Sequence, residues 1–214
     1  MFTIKICGLT NLDDARWALE GGADYLGFVL YPKSPRAVTA AALAHLVDHL
    51  PDHARPVGVF VNESPAQVRQ IAAACRLAAV QLNGDERPGE FLDLPVPLWR
   101  SVRLEPGGWS PAPELWKGAR FVMDAASPAY GGTGVKIDWD AGRRFAAQHR
   151  AILAGGLDPE SVAEAIRQVR PAGVDVASGV ECAPGKKDFR KVAAFIAHAR
   201  AAAEMIEKSQ EGPT

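Results

Sequence analysis

The chain has 214 residues, with 24 Lys and Arg set against 25 Asp and Glu, for a formal net charge of −1. Such a balance supplies no field to draw in nucleic acid or an anionic lipid surface, and no apolar run approaches the ~20 residues that cross a bilayer. Three cysteines without metal-ligand spacing, and no charged-then-apolar leader before the first apolar run, point to a reducing, cytoplasmic setting.

In chain order, eight short apolar runs read as strands: Thr3 to Cys7, Tyr25 to Leu30, Pro56 to Val61, Ala78 to Leu82, Leu98 to Arg103, Arg120 to Asp124, Ala151 to Ala154 and Val174 to Ala177. Helix signals lie between them. Asn11 precedes Leu12-Asp13-Asp14-Ala15, Thr39 opens an Ala/Leu-rich stretch stopped by Pro51, and Ser64-Pro65 leads into Ala66 to Cys75. Asp138 is a helix cap before Trp139, and Asp158-Pro159-Glu160 starts a helix carrying Val162, Ile166 and Val169 on one face. The last helix, from about Asp188, carries Val192, Phe195, Ile196 and Ala199. Pro88, Pro95, Pro111 and Pro113 crowd the intervals after the fourth and fifth strands, so those helices are short or irregular.

Strict alternation predicts an α/β chain with an eight-stranded parallel βα barrel as one domain over residues 1–207, followed by a frayed polar tail at 208–214. An open doubly wound sheet is the rival. It normally carries Gly-x-Gly-x-x-Gly after its first strand, where this chain has Cys7-Gly8-Leu9-Thr10.

The chemistry of such a barrel collects at the carboxyl ends of its strands. Cys7 closes the first strand and shares a face with Thr3 and Lys5, so an ammonium stands beside a thiol and favours the thiolate. The bland alternative is a small buried hydrophobe. Arg36 follows strand two as a ligand for an anion or a solvated cation. Asp124 closes strand six as an acid or a turn cap, and Asp175 on strand eight either meets ligand or pairs with Lys5 inside the barrel. Glycine-bearing turns follow the last three strands at Gly131-Gly132-Thr133-Gly134, Gly155-Gly156 and Ser178-Gly179; they are either turn punctuation or a nest for a phosphate dianion. His45, His53, His149 and His198 show no metal-like spacing.

From Lys5 to Asp188 the chain resembles the phosphoribosylanthranilate isomerase family of tryptophan biosynthesis. The resemblance rests on Lys5-Ile6-Cys7-Gly8-Leu9-Thr10, Ser34-Pro35-Arg36, Asp124 ahead of Tyr130-Gly131-Gly132-Thr133-Gly134, Leu153-Ala154-Gly155-Gly156-Leu157, Asp175 to Glu181, and Pro184-Gly185-Lys186-Lys187-Asp188. It implies Cys7 as catalytic base, Asp124 as general acid, Arg36 on the anthranilate carboxylate, and Asp175 on substrate. It further implies phosphate binding by Gly132, Thr133, Gly155, Gly156, Ser178 and Gly179, with neither metal nor organic cofactor. The implied reaction is an Amadori rearrangement of a phosphorylated amino-sugar, N-(5-phosphoribosyl)anthranilate, to 1-(2-carboxyphenylamino)-1-deoxyribulose 5-phosphate. For that, Asp124 must hold its proton above ~3.9 and Cys7 lose its own below ~8.5. Three positions depart from the family pattern: Asn83 where a histidine is common, Ile137 where an aromatic is usual, and Ala177 in place of a serine. The rivals are the histidine-pathway aminoaldose isomerase, which uses paired aspartates, and a non-catalytic phosphate-ligand binder on the same fold. The sequence leaves monomer and homodimer both open.

Overall fold

The computed structural model describes residues 2–91, 93–124 and 138–210. In chain order they form β1 (Thr3–Ile6), α1 (Leu12–Glu20), β2 (Tyr25–Val29), α2 (Ala40–Asp48), β3 (Pro56–Phe60), α3 (Pro65–Ala74), β4 (Ala79–Leu82), β5 (Leu98–Glu105), β6 (Gly108–Ser110), β7 (Arg120–Asp124), α4 (Trp139–His149), β8 (Ile152–Leu153), α5 (Val162–Val169), β9 (Gly173–Val176), β10 (Glu181–Ala183), β11 (Lys186–Lys187) and α6 (Phe189–Gln210). Parallel pairing runs β4-β3-β2-β1-β9-β8-β7-β5, and a further β4–β5 pairing closes the ring into a barrel of eight strands. The open-sheet alternative is thereby excluded. Every barrel strand falls on one of the expected apolar runs, with ends moved by a residue or two. Cys7 lies just past β1, yet its N–H still donates to the Val176 carbonyl at 2.8 Å, so the ladder carries it.

The helix signals hold because they are local. Asn11, Thr39 and Ser64 each accept from the backbone N–H three residues on, at 2.9, 3.1 and 3.2 Å, and Asp138 accepts from Asp140 and Ala141. The Asp158-Pro159-Glu160 start is corrected only in its boundary: Asp158 accepts the Ser161 N–H at 2.7 Å by the same three-residue bond, and its carbonyl takes the Val162 N–H at 3.0 Å, but the regular helix α5 begins at Val162. The proline-crowded intervals hold only 3-10 turns, Pro88–Phe91 and Pro113–Leu115. The frayed tail is also corrected in part: α6 runs through 208–210, and residues 211–214 lie outside the described set. No described helix is long and apolar enough to cross a membrane.

Strand alternation sorts the residues into two cores. Ile4, Ile6, Leu26 and Phe28 point outward into the fully buried layer between barrel and helices. Inside, Tyr25, Val57, Ala79, Trp99, Val122 and Ile152 fill the floor. The Arg55 guanidinium lies 4.3 Å over the Tyr25 ring and that of Arg120 lies 5.2 Å over Trp99, closing the amino-terminal end with cation–π contacts. Above this floor polar side chains, among them Lys5, Gln81, Ser101 and Asp175, enter the inward positions beside Val29, Val59 and Ala154.

Candidate active site

At the carboxyl ends of the strands lies a cavity of ≈ 320 Å³ whose wall includes Cys7, Arg36, Asp124, Asp175, Gly155, Gly156 and Ser178. Residues more than 140 positions apart in the chain are gathered there because each sits at or just beyond the end of a neighbouring strand. Cys7 comes from β1 and Asp124 from β7, three strand steps apart around the ring.

Room for the thiol is made by Gly27 on β2. A Cβ at that position would stand 2.7 Å from Cys7 Sγ and 2.9 Å from Lys5 Cε, closer than side chains tolerate. One inward layer below the thiol, the fully buried Lys5 ammonium donates to Asp175 Oδ2 at 2.7 Å. Burial alone would pull Lys5 down, but Asp175 and Cys7 together hold its ammonium above the ordinary value. Burial pushes the Cys7 thiol up, and Lys5, its strongest opposing neighbour, does not cancel that. The sequence-based expectation of a depressed thiol is therefore corrected: the Lys5 charge is shared with Asp175, and desolvation wins.

Arg36 donates from Nε and Nη2 to the two carboxylate oxygens of Glu181, both at 2.8 Å. Lys187 Nζ joins the same carboxylate at 2.9 Å. Burial would raise the Glu181 carboxyl, but Arg36 and Lys187 hold it below the usual carboxylate value. Burial likewise pulls the Lys187 ammonium down against the attraction of Glu181.

Across the barrel, Gln81 on β4 and Asn83 just past it line the cavity, and Ser101 on β5 is bonded to both. Gln81 Nε2 donates to Asn83 Oδ1 at 2.9 Å and to Ser101 Oγ at 3.1 Å, and Ser101 Oγ donates to Asn83 Oδ1 at 2.5 Å. Among the described residues, Gln81 Oε1 and Asp175 Oδ1 are buried acceptors without a hydrogen-bond partner, and both residues line the cavity. Unsatisfied buried acceptors in a cavity wall suit a ligand rich in hydroxyls.

Gly155 and Gly156 follow β8 at φ 78° and 64°, backbone that favours glycine, and both line the cavity beside Ser178. Gly179 has a packing reason instead. A Cβ there would run into the Leu157 carbonyl, so glycine lets the loops after β8 and β9 touch. Gly132 and Thr133 lie outside the described residues, as do Tyr130, Gly131, Gly134 and Ile137.

Sequence reasoning missed Gln81 and Ser101, although alternation carried a signal, since polar residues at inward positions of apolar strands need a purpose. It quoted Glu181 and Lys187 without a role. Their pairing depends on a hairpin register that no local pattern announces.

A family model described as N-(5'phosphoribosyl)anthranilate (PRA) isomerase matches residues 4–198. The chain is 45% identical over 204 residues to the N-(5'-phosphoribosyl)anthranilate isomerase of Trichlorobacter lovleyi, a match covering 94% of this chain and 100% of that one. It is 45% identical over 202 residues to its counterpart in Geobacter sulfurreducens, covering 94% and 99%. Among solved structures, phosphoribosyl anthranilate isomerase from Thermotoga maritima superposes with a TM-score of 0.84 at 37% identity, over 94% of this chain and 100% of that one. A phosphoribosyl anthranilate isomerase in complex with reduced 1-(o-carboxyphenylamino)-1-deoxyribulose 5-phosphate gives 0.81 at 34% identity, over the same shares.

Proposed function

The chain belongs to the N-(5'-phosphoribosyl)anthranilate isomerase family, and from that premise we propose a division of labour in its cavity, with Cys7 as base and Asp124 as acid. The reaction is the isomerisation of N-(5-phosphoribosyl)anthranilate to 1-(2-carboxyphenylamino)-1-deoxyribulose 5-phosphate in tryptophan biosynthesis. Protonated Asp124 gives its proton to the furanose ring oxygen as the bond from that oxygen to C1 breaks, and the nitrogen lone pair forms the iminium. The Cys7 thiolate takes the proton from C2, whose bonding pair becomes the C1–C2 double bond and neutralises the nitrogen. The enolamine then tautomerises to the ketone, and solvent exchange returns a proton from sulfur to the carboxylate. Acid and base act on adjacent atoms, so both must reach one pentose.

The observation carrying this reading is that both groups open on one cavity, with a buried ammonium beside the sulfur. Arg36 takes the anthranilate carboxylate on the guanidinium edge that Glu181 leaves open. Asp175 accepts a sugar hydroxyl at its unpaired oxygen. Gly155, Gly156, Ser178 and Gly179, with Gly132 and Thr133, receive the phosphate through backbone N–H groups, the chemistry such turns favour. The protein works in the cytoplasm as one barrel domain, monomeric or homodimeric; a related Thermotoga maritima protein is described as dimeric.

Turnover tests the assignment. Incubation with phosphoribosylanthranilate, followed by loss of anthranilate-type fluorescence, gives a kcat that Cys7→Ala reduces by ~10²-fold or more while affinity for the reduced product analogue stays near normal. An unchanged kcat removes Cys7 from the mechanism. Asp124→Asn stalls ring opening with little effect on folding, whereas substantial unfolding would assign Asp124 a structural role.

A further inference from the structure

We infer that Glu181 is the positioning residue that aims Arg36, and that the β10–β11 hairpin exists to deliver it. The inference rests on the reading of Arg36 as the group that receives the substrate carboxylate. The hairpin lies outside the barrel ring and pairs Glu181 with Lys187 across its antiparallel register. It is tied down at separate points. Thr10 Oγ1 donates to the Gly185 carbonyl at 2.6 Å, Lys187 N–H donates to Asp14 Oδ2 at 2.8 Å, and Lys187 Nζ donates to the Ala177 carbonyl at 2.9 Å. So anchored, the Glu181 carboxylate holds the Nε and Nη2 edge of Arg36 in a two-point fork. The stem of Arg36 is walled as well, for a Cβ on Gly8 would come within 2.5 Å of its Cδ.

Two features separate aiming from mere stabilisation. First, side-chain exposure is only 13% for Arg36 and 5% for Glu181, and an ion pair so far removed from water is weak as a source of stability because desolvation opposes the attraction. What it gives reliably is direction. The planar fork fixes the guanidinium, and its Nη1 edge is left for a ligand in the cavity that Arg36 lines. Second, the charges leave a remainder: Arg36 and Lys187 bring two cations to one carboxylate. While Cys7 holds its proton, that is one net positive charge, which suits one further carboxylate. Glu181 also repels a ligand carboxylate from the wrong edge, so it selects orientation by excluding the alternative.

Binding of two stable ligands tests the inference: reduced 1-(o-carboxyphenylamino)-1-deoxyribulose 5-phosphate and its phenylamino counterpart without the ring carboxyl. Glu181→Gln is expected to weaken the carboxylate ligand about tenfold and the counterpart less than twofold, in line with a lost charge-assisted aiming bond. Equal losses on both ligands, or no loss on either, overturn the inference. Arg36→Met, measured alongside, reports on the underlying reading: if it fails to abolish the preference for the carboxylate ligand, the assignment of Arg36 fails independently of Glu181. Should Glu181→Gln not fold, Glu181→Asp, which keeps the charge but shortens its reach, carries the same expectation and the same refutation.

Discussion

At the scale of single residues, if Cys7 is the base as proposed, its environment sets the expected response of the enzyme to pH. Its sulfur is within electrostatic reach of Lys5 on the same chain run, Asp175 on β9, Lys187 on β11 and Arg36 on the cavity wall, which Asp124 also lines. Burial raises the thiol, Lys5 and Lys187 lower it, and Asp175 raises it again. With the thiolate as the proposed base and a protonated Asp124 as its partner, kcat/KM is expected to be bell-shaped in pH, and the limb governed by Cys7 lies on the alkaline side of the ordinary ~8.5. Asp175→Asn removes a raising influence and shifts the limb to lower pH. A parent profile without an alkaline limb, or an alkaline limb that moves upward in Asp175→Asn, contradicts this arrangement. Gly27 offers a second test of the same sulfur. Gly27→Ala puts a methyl group where Sγ and Lys5 Cε now sit, and is expected to destabilise by about 1–3 kcal/mol and to lower kcat more than it raises KM. Denaturant midpoints and steady-state kinetics on one preparation separate the two effects. In the sequence Gly27 reads as any strand glycine, because the neighbour that demands it is on another strand.

At the scale of elements, local devices were legible and non-local ones were not. Asn11, Thr39, Ser64 and Asp138 announce α1, α2, α3 and α4, since a cap bond closes over two or three residues and its chemistry is written in that span. Asp158 makes the same kind of bond to the Ser161 N–H, but the residues it spans form a turn and regular α5 starts only at Val162. Cys7, Arg36, Asp124 and Asp175 could be placed at strand ends from periodicity, but the partner of Arg36 could not, lying 145 residues away on a hairpin. That hairpin also responds to acid. The Glu181 carboxyl is held below its ordinary value, so its stabilisation is complete above the unfolded value near ~4.3 and is lost as pH falls through the lower folded value. Glu181→Gln should therefore be less stable than the parent near pH ~6, with the gap closing toward pH ~3. Urea midpoints across that range check the sign; a gap that widens in acid rules the linkage out.

At the scale of the molecule, eight strands closing on themselves leave an interior divided by height, and the division separates stability from chemistry. Thr3, Lys5 and Cys7 climb one strand through all of it: beside the floor, in the middle charged layer, and at the open mouth. The parallel barrel was legible because most of its βα units repeat the same pattern, and an alternating chain of this length has few other ways to bury both faces of its strands. What each layer is for emerges only when strands from the whole chain stand side by side. Trp99 is the test of the division. It is 2% exposed, packs edge-on to Tyr25 at 4.8 Å between ring centroids, and carries the Arg120 guanidinium on its face, yet it has no part in the cavity wall. Trp99→Ala empties the floor and should destabilise by about 3–5 kcal/mol, through lost burial and a cavity that a closed ring of strands is poorly able to collapse. Under conditions where the variant remains folded, kcat and KM should stay within about twofold of the parent, because Cys7 and Asp124 stand on the layers above and are fixed by their own neighbours. A fall in kcat of tenfold or more in protein shown to be folded would mean that the floor sets the geometry of the mouth, and that the two ends of this barrel work as one unit.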